Sequence, residues 1–190
     1  MSCIPFCLPV AGKSASDMMP RFHIVRLDPE HEADLAELLI GLDAPSRQCR
    51  FNSAVNGACL SRHARYALSA SAFIAGAFVE GRLYGAVEVY DARPPELAEV
   101  AFVVAQNWRR RGIASALLWT ATQWAFETGR GGLRMVISRN NWAMRKLVAK
   151  ADARLDLIED GMSAEVLARP VASNRGWRQS GGLIPTTGPV

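Results

Sequence analysis

A chain of 190 residues, 49% hydrophobic and 21% charged, is long enough for one domain with its own core and too short for a second of ordinary size. Its net charge of +4 and pI near 9.1 suit an anionic ligand, yet apart from Arg109-Arg110-Arg111 the basic residues are scattered, which speaks against a nucleic-acid partner. No apolar stretch reaches the roughly 18 residues of a membrane span. Cys3, Cys7, Cys49 and Cys59 form neither a CxxC pair nor a metal-ligand spacing. The expectation is a cytoplasmic protein with no metal and no membrane contact, its thiols free and Cys49 and Cys59 acting as small buried hydrophobes.

Residues 1–20, interrupted by Pro5 and Pro9 and lacking a basic start, read as a flexible segment rather than a signal peptide. Residues 22–27 predict a strand. Asp28-Pro29 then supplies an N-cap with proline at the first helical position, and Leu35, Leu38, Leu39 and Leu42 recur as the buried face of a helix. Residues 43–70 are less regular, with short helical turns expected around 47–51 and 61–67. Phe73–Val79 and 83–90 are β-rich runs joined at Glu80-Gly81-Arg82 as a hairpin, and beyond Arg93-Pro94-Pro95 the run 96–104 completes an antiparallel meander.

From Ile113 the period changes. Ala114, Leu117, Leu118, Ala121, Trp124 and Ala125 form one helical stripe that stops near Gly129. Residues 133–137 predict a strand, and Asn140 or Asn141 caps a helix with Met144, Leu147, Val148 and Ala151 on its inner face. Residues 153–158 and 162–167 predict a closing hairpin around Glu159-Asp160-Gly161. The domain therefore spans 21–168, and 169–190, rich in Gly, Ser, Pro and Thr, is a tail whose docking residues are Trp177, Leu183 and Ile184. This order of elements implies an α/β (α+β) domain, a mixed and mostly antiparallel sheet flanked by helices.

The chemistry concentrates where the strand ending at Val104 turns into the helix starting at Ile113. A helix start offers unpaired N–H groups and the positive end of the helix dipole, so it attracts an anion such as pyrophosphate. Cations crowd that end unfavourably unless an anion joins them, which favours phosphate contact for Arg109, Arg110 and Arg111 over a merely solvated cluster. Gly112 allows close backbone approach, and Ala114 keeps the next turn clear.

Arg109-x-x-Gly112-x-Ala114 resembles the Q/R-x-x-G-x-G/A acetyl-CoA signature of the GNAT superfamily of N-acetyltransferases. The segment Asn141-x-x-Met144-x-x-Leu147-x-x-Lys150 resembles the family's N-x-x-M-x-x-L-x-x-K-x-G-F. Two departures stand out: Asp152-Ala153 replaces Gly-Phe, and the tyrosine that often protonates the leaving thiolate is missing, Leu147 and Val148 occupying its neighbourhood. Ser46-Arg47, Arg50-Phe51 and Ala98-Glu99-Val100-Ala101-Phe102-Val103-Val104 look most like Pat-type protein lysine acetyltransferase domains, without the regulatory module some of them carry.

The resemblance implies the GNAT fold and acetyl-CoA as acyl donor. It places the donor along Phe102, Val103 and Val104, around Arg109, Arg110, Arg111, Gly112, Ile113, Ala114 and Ser115, and at Asn141. It makes Glu99 the catalytic base that deprotonates an amine acceptor, a protein lysine or a small molecule. An amine with a reference pKa near 10.4 must lose a proton before it attacks a thioester, and burial in an apolar strand would raise the Glu99 pKa toward that task.

Glu99 is alternatively an exposed or ion-paired residue. Glu88 is a rival acid on the neighbouring strand, and Asn141 is either a cofactor contact or a helix cap alone. Trp119, Trp124 and Trp142 read as packing residues, and His23, His31 and His63 as isolated. A catalytically degenerate acyl-CoA sensor is the alternative function, and monomer and homodimer both stay open.

Overall fold

The apolar, β-rich runs 73–79 and 83–90 form the hairpin the sequence predicts, β2 (Phe73–Val79) with β3 (Arg82–Asp91). Around it, β1 (His23–Arg26), β4 (Leu97–Val104), β5 (Gly132–Ser138), β6 (Arg154–Ile158) and β7 (Gly161–Leu167) complete one sheet in the order β1-β2-β3-β4-β5-β7-β6. Every neighbouring pair is antiparallel except β4 and β5, which run parallel. The computed structural model describes residues 21–169 apart from 52, 54, 94, 95 and 160. The two terminal tails, with Cys3, Cys7, Trp177, Leu183 and Ile184, lie outside the described residues, as do Pro94-Pro95 and Asp160 of the expected turns.

Five helices cover the two faces: α1 (Glu32–Ile40), α2 (Ala44–Phe51), α3 (Gly57–Ala70), α4 (Ile113–Glu127) and α5 (Trp142–Lys150). Leu35, Leu38 and Leu39 of α1 and Leu60, Ala64 and Ala67 of α3 pack on Ile74, Phe78, Ala86 and Val103. On the other face Ile113, Leu117, Leu118, Ala121 and Ala125 of α4, with Leu147 and Val148 of α5, close over Val87, Val89, Leu133 and Ile137. None of the described helices is long and apolar enough to cross a membrane.

The stretch 43–70 is more helical than its sequence suggests. Asp43 accepts hydrogen bonds from the Ser46 backbone and hydroxyl, and Asn56 accepts one from the Cys59 N–H at 2.9 Å, so both helices start from capping side chains. Their buried faces are thin: α3 buries one leucine and two alanines, and α2 buries no residue, so neither advertises a strong apolar stripe. Cys49 and Cys59 are exposed on these helices, contrary to the expected burial, because the stripe runs along other positions. Asp152 takes the left-handed conformation (φ 52°) that a glycine would favour, so the turn after α5 survives the missing Gly.

Gly85 of β3 holds the start of α4 close to the sheet. A Cβ there would lie 2.6 Å from Cγ2 of Ile113 and 3.3 Å from Cδ1 of Leu117. Gly85→Ala is therefore expected to overpack this contact and cost about 1–3 kcal/mol in stability, read as a lower midpoint in urea unfolding with an unchanged slope.

Candidate active site

β4 and β5 pair only through Leu97–Gly132, Ala98–Leu133 and Glu99–Arg134. Beyond that point β4 stays with β3 as far as Val104 and β5 stays with β7 as far as Ser138, so the two parallel strands part. The gap is a cavity of about 310 Å³. Val100–104 of β4 forms one wall, Met135 and Val136 of β5 another, and Asn141, Ala143 and Met144 of α5 close the far side. Ser46, Cys49 and Arg50 of α2 border it from the other sheet face. Among the described residues the inner edge of β4 from Val100 onward has no strand partner, which leaves main-chain groups for an extended, amide-bearing ligand.

At the mouth of the gap α4 begins. Gly112, its N-cap, adopts φ 85°, Arg110 two residues earlier adopts φ 64°, and among the described residues no side chain caps the helix. Such a turn gathers successive N–H groups into an anion-binding concavity at the positive end of a 15-residue helix. Small Ala114 lines the cavity directly.

The three arginines have different surroundings. Arg109 borders the cavity, but its guanidinium donates to the Val104 carbonyl, to Asp43 at 3.3 Å and to Ser46 Oγ, so it ties the turn to the start of α2. The Ser46 hydroxyl, ahead of the Arg109 charge, holds the Asp43 carboxyl below its ordinary range. Arg111 stacks on the Trp108 ring at 4.5 Å, and Arg110 is exposed.

Of the other expected donor contacts, Phe102, Val103, Val104 and Asn141 line the cavity together with Arg109 and Ala114. Ile113 is buried against the sheet, so only its backbone N–H is available to a ligand. Ser115 is half-buried in the first turn of α4. Asn141 caps α5, accepting from the Met144 N–H at 3.2 Å, and lines the cavity as well.

Glu99 is the last residue of β4 paired with β5, at the apex of the fork. It is exposed rather than buried, because the helical cover that buries Val103 on the same face does not extend to it. Its neighbour on β5, Arg134, is occupied by Glu165 at 3.1 Å.

Glu88, directly opposite Ala101, is the buried carboxylate of the site, 1% exposed. It accepts from Arg50, from His63 Nε2 at 3.0 Å and from the Tyr90 hydroxyl at 2.8 Å. Burial pushes its pKa up, but the His63 hydrogen bond, the charges of Arg50 and His63, and the Tyr90 hydroxyl outweigh that and leave it below the ordinary glutamate value. Burial, with the adjoining Glu88 charge, raises the Tyr90 phenol well above its usual value. Tyr90 therefore stays protonated as a donor.

The sequence offered a sign of this cluster, a lone acid between valines in a central strand. It gave no means of locating the partners within 43–70. His63 is thus not isolated: it bonds Glu88 and packs edge-on against Phe51, ring centroids 5.0 Å apart. Trp124 stacks on Phe73 at 5.4 Å as a packing residue, whereas Trp142 is 62% exposed.

Among the described residues no group of three or more His, Cys, Asp or Glu is placed to hold a metal ion. A family model described as the acetyltransferase (GNAT) family matches residues 45–151. Among solved structures the chain is similar to the GNAT domain of S. lividans PAT, with a TM-score of 0.63 and 21% identity over 75% of this chain and 87% of that one. Diaminobutyrate acetyltransferase EctA from Paenibacillus lautus, in complex with L-2,4-diaminobutyric acid and coenzyme A, is similar at TM-score 0.57 and 18% identity over 79% of this chain and 96% of that one. The PaiA N-acetyltransferase from Thermoplasma acidophilum in complex with coenzyme A gives 0.58 and 15%, over 77% and 98%. At these identities the likeness is one of fold. No curated protein sequence matches the chain significantly.

Replacing Glu88 by alanine would leave the half-buried Arg50 without its counter-charge, at an expected cost of about 3 kcal/mol. Because the folded carboxyl lies below 4.5, the ordinary value, its contribution is complete above that pH and is lost as pH falls through the folded value. The stability gap between wild type and Glu88→Ala, measured by denaturant unfolding, should narrow as pH falls below 4.5.

Proposed function

We propose, from the premise that this chain belongs to the acetyltransferase (GNAT) family, that its fork binds acetyl-CoA and that Glu99 deprotonates the amine acceptor. The chain is an N-acetyltransferase of that family. The observation that carries the proposal is an unpaired strand edge meeting an uncapped helix start at one cavity, with the exposed carboxylate of Glu99 one residue before Val100, the first β4 residue to line it.

In this scheme the backbone of Val100–104 pairs with the amides of the pantetheine arm. The N–H groups of Gly112, Ile113, Ala114 and Ser115 hold the pyrophosphate, joined at the rim by Arg110 and Arg111. Arg109 orients the turn through Asp43 and Ser46 while facing the cavity. Asn141 keeps α5 in place beside the donor and contributes a polar group. A main-chain N–H at Val103 or Val104 polarises the thioester carbonyl.

The acceptor, a primary amine of a protein lysine or a small molecule, enters from the α2 and α3 side. The diaminobutyric acid bound by the Paenibacillus lautus relative supports an amine acceptor for this fold. Glu99 takes one proton from the ammonium, directly or through water; the amine nitrogen attacks the carbonyl carbon, the carbon–sulfur bond breaks and coenzyme A leaves as thiolate. Asn141, Ala143 and Met144 give the α5 wall no acidic hydrogen, so solvent protonates the thiolate. Glu88 does not compete as base, since three donors already hold it in its ionised form. A reducing compartment, the cytoplasm, suits exposed Cys49 and Cys59.

Thiol release from acetyl-CoA over a panel of amines, including lysine peptides, tests the proposal. Glu99→Gln is expected to lower kcat about 100-fold or more with little change in the KM for acetyl-CoA. Gly112→Val, which places a β-branched side chain at φ 85°, is expected to raise that KM about tenfold or more. Tight coenzyme A binding without turnover of any amine would instead favour an acyl-CoA sensor.

A further inference from the structure

We propose that β6 is the seam of a two-fold homodimer, in which β6 of one copy pairs antiparallel with β6 of a second, centred on Leu155. Among the described residues β6 is an outer strand of the sheet, hydrogen-bonded to β7 on one side only, and all five of its residues are exposed. Leu157 is 86% exposed, and Leu155 and Ile158 are also open to solvent. Folded proteins rarely leave such an edge bare, because its unpaired N–H and C=O groups template another strand. β1, the opposite outer strand, has four residues, two of them half-buried.

The charge pattern of the strand selects both the partner and the register. Arg154 and Asp156 sit two residues apart on one face, 3.3 Å from each other, with side chains 74% and 51% exposed. An antiparallel pairing centred on Leu155 sets Arg154 of each copy opposite Asp156 of the other, giving two cross-strand ion pairs. It also sets Leu155 opposite Leu155 and brings each Leu157 diagonally beside the partner's Leu155 on the other face. Moving the centre by one residue to Asp156 would put the two aspartates face to face, which is unfavourable. The strand is thus complementary to itself, as a two-fold interface requires. Such pairing would join two seven-stranded sheets end to end and leave both cavities open, since Val136 and the α5 residues that line each one belong to β5 and α5 rather than to β6.

The test is sedimentation velocity on the full chain across a range of concentrations, for wild type, Arg154→Asp, Asp156→Arg and the double swap. Wild type is expected to dimerise with mass action. Each single reversal sets like charges opposite each other twice and should weaken the dimer about tenfold or more. An equimolar mixture of the two single variants restores opposite charges at both positions and should recover the dimer, as should the double swap. Both positions are exposed, and unchanged thermal unfolding of the isolated variants would show that they still fold. A wild type that stays monomeric overturns the proposal, as does a dimer indifferent to either reversal, or one that neither the mixture nor the double swap restores.

Discussion

The molecule is organised by the parting of two parallel strands. β5 keeps its full ladder with β7, and β4 keeps its ladder with β3, yet between β4 and β5 pairing stops after three residues. Main-chain groups left without a partner inside a sheet are costly unless something else satisfies them. Here the geometry around them is built for a guest: a flat unpaired strand edge, a helix whose first N–H groups lack a side-chain cap, and glycine where the backbone must approach closely. The helix start reaches the sheet because Gly85 offers no side chain to Ile113. Cavity and helix start thus follow from the same arrangement.

The cluster of half-buried Arg50, His63 and Tyr90 around buried Glu88 performs a different task. It links α2, α3 and β3 through hydrogen bonds to one carboxylate just behind Ala101, and Arg50 also borders the cavity. α2 buries no residue in the core, so few apolar contacts hold it. The Arg50–Glu88 pair and the Arg109–Asp43–Ser46 contacts fasten it in place of hydrophobic burial. One carboxylate near the cavity is fixed and ionised, with three donors on its Oε2; the other, Glu99, is accessible at the apex of the fork. That division assigns them separate roles.

Most of the fold was legible in the sequence, and for physical reasons. Apolar, β-rich runs announce the strands and periodicity the helix from Ile113, while Asp28-Pro29 and the pair Asn140-Asn141 announce helix starts; hydrogen bonds to Asp28 and Asn141 bear those starts out. The stretch 43–70 was misjudged as short turns, because helices held by capping side chains and by one or two ion pairs carry little apolar pattern. The same stretch supplies Arg50 and His63, so the Glu88 cluster was invisible although Glu88 itself was noticed. For Glu99 the strand was right and the burial wrong: alternation along β4 tells which face a side chain takes, not how far the helices on that face extend. The inward turn of Arg109 toward Asp43 depends on a contact between residues 66 positions apart, which no local pattern encodes.

The central claim is that the fork and the start of α4 act together as a site for a pyrophosphate-bearing pantetheine. Titration calorimetry comparing coenzyme A with pantetheine, which keeps the amide arm and lacks the pyrophosphate, tests it most directly. Contacts from several N–H groups at a helix start predict that coenzyme A binds tighter by about 100-fold or more. Equal affinity for the two, or no binding of coenzyme A, would contradict it.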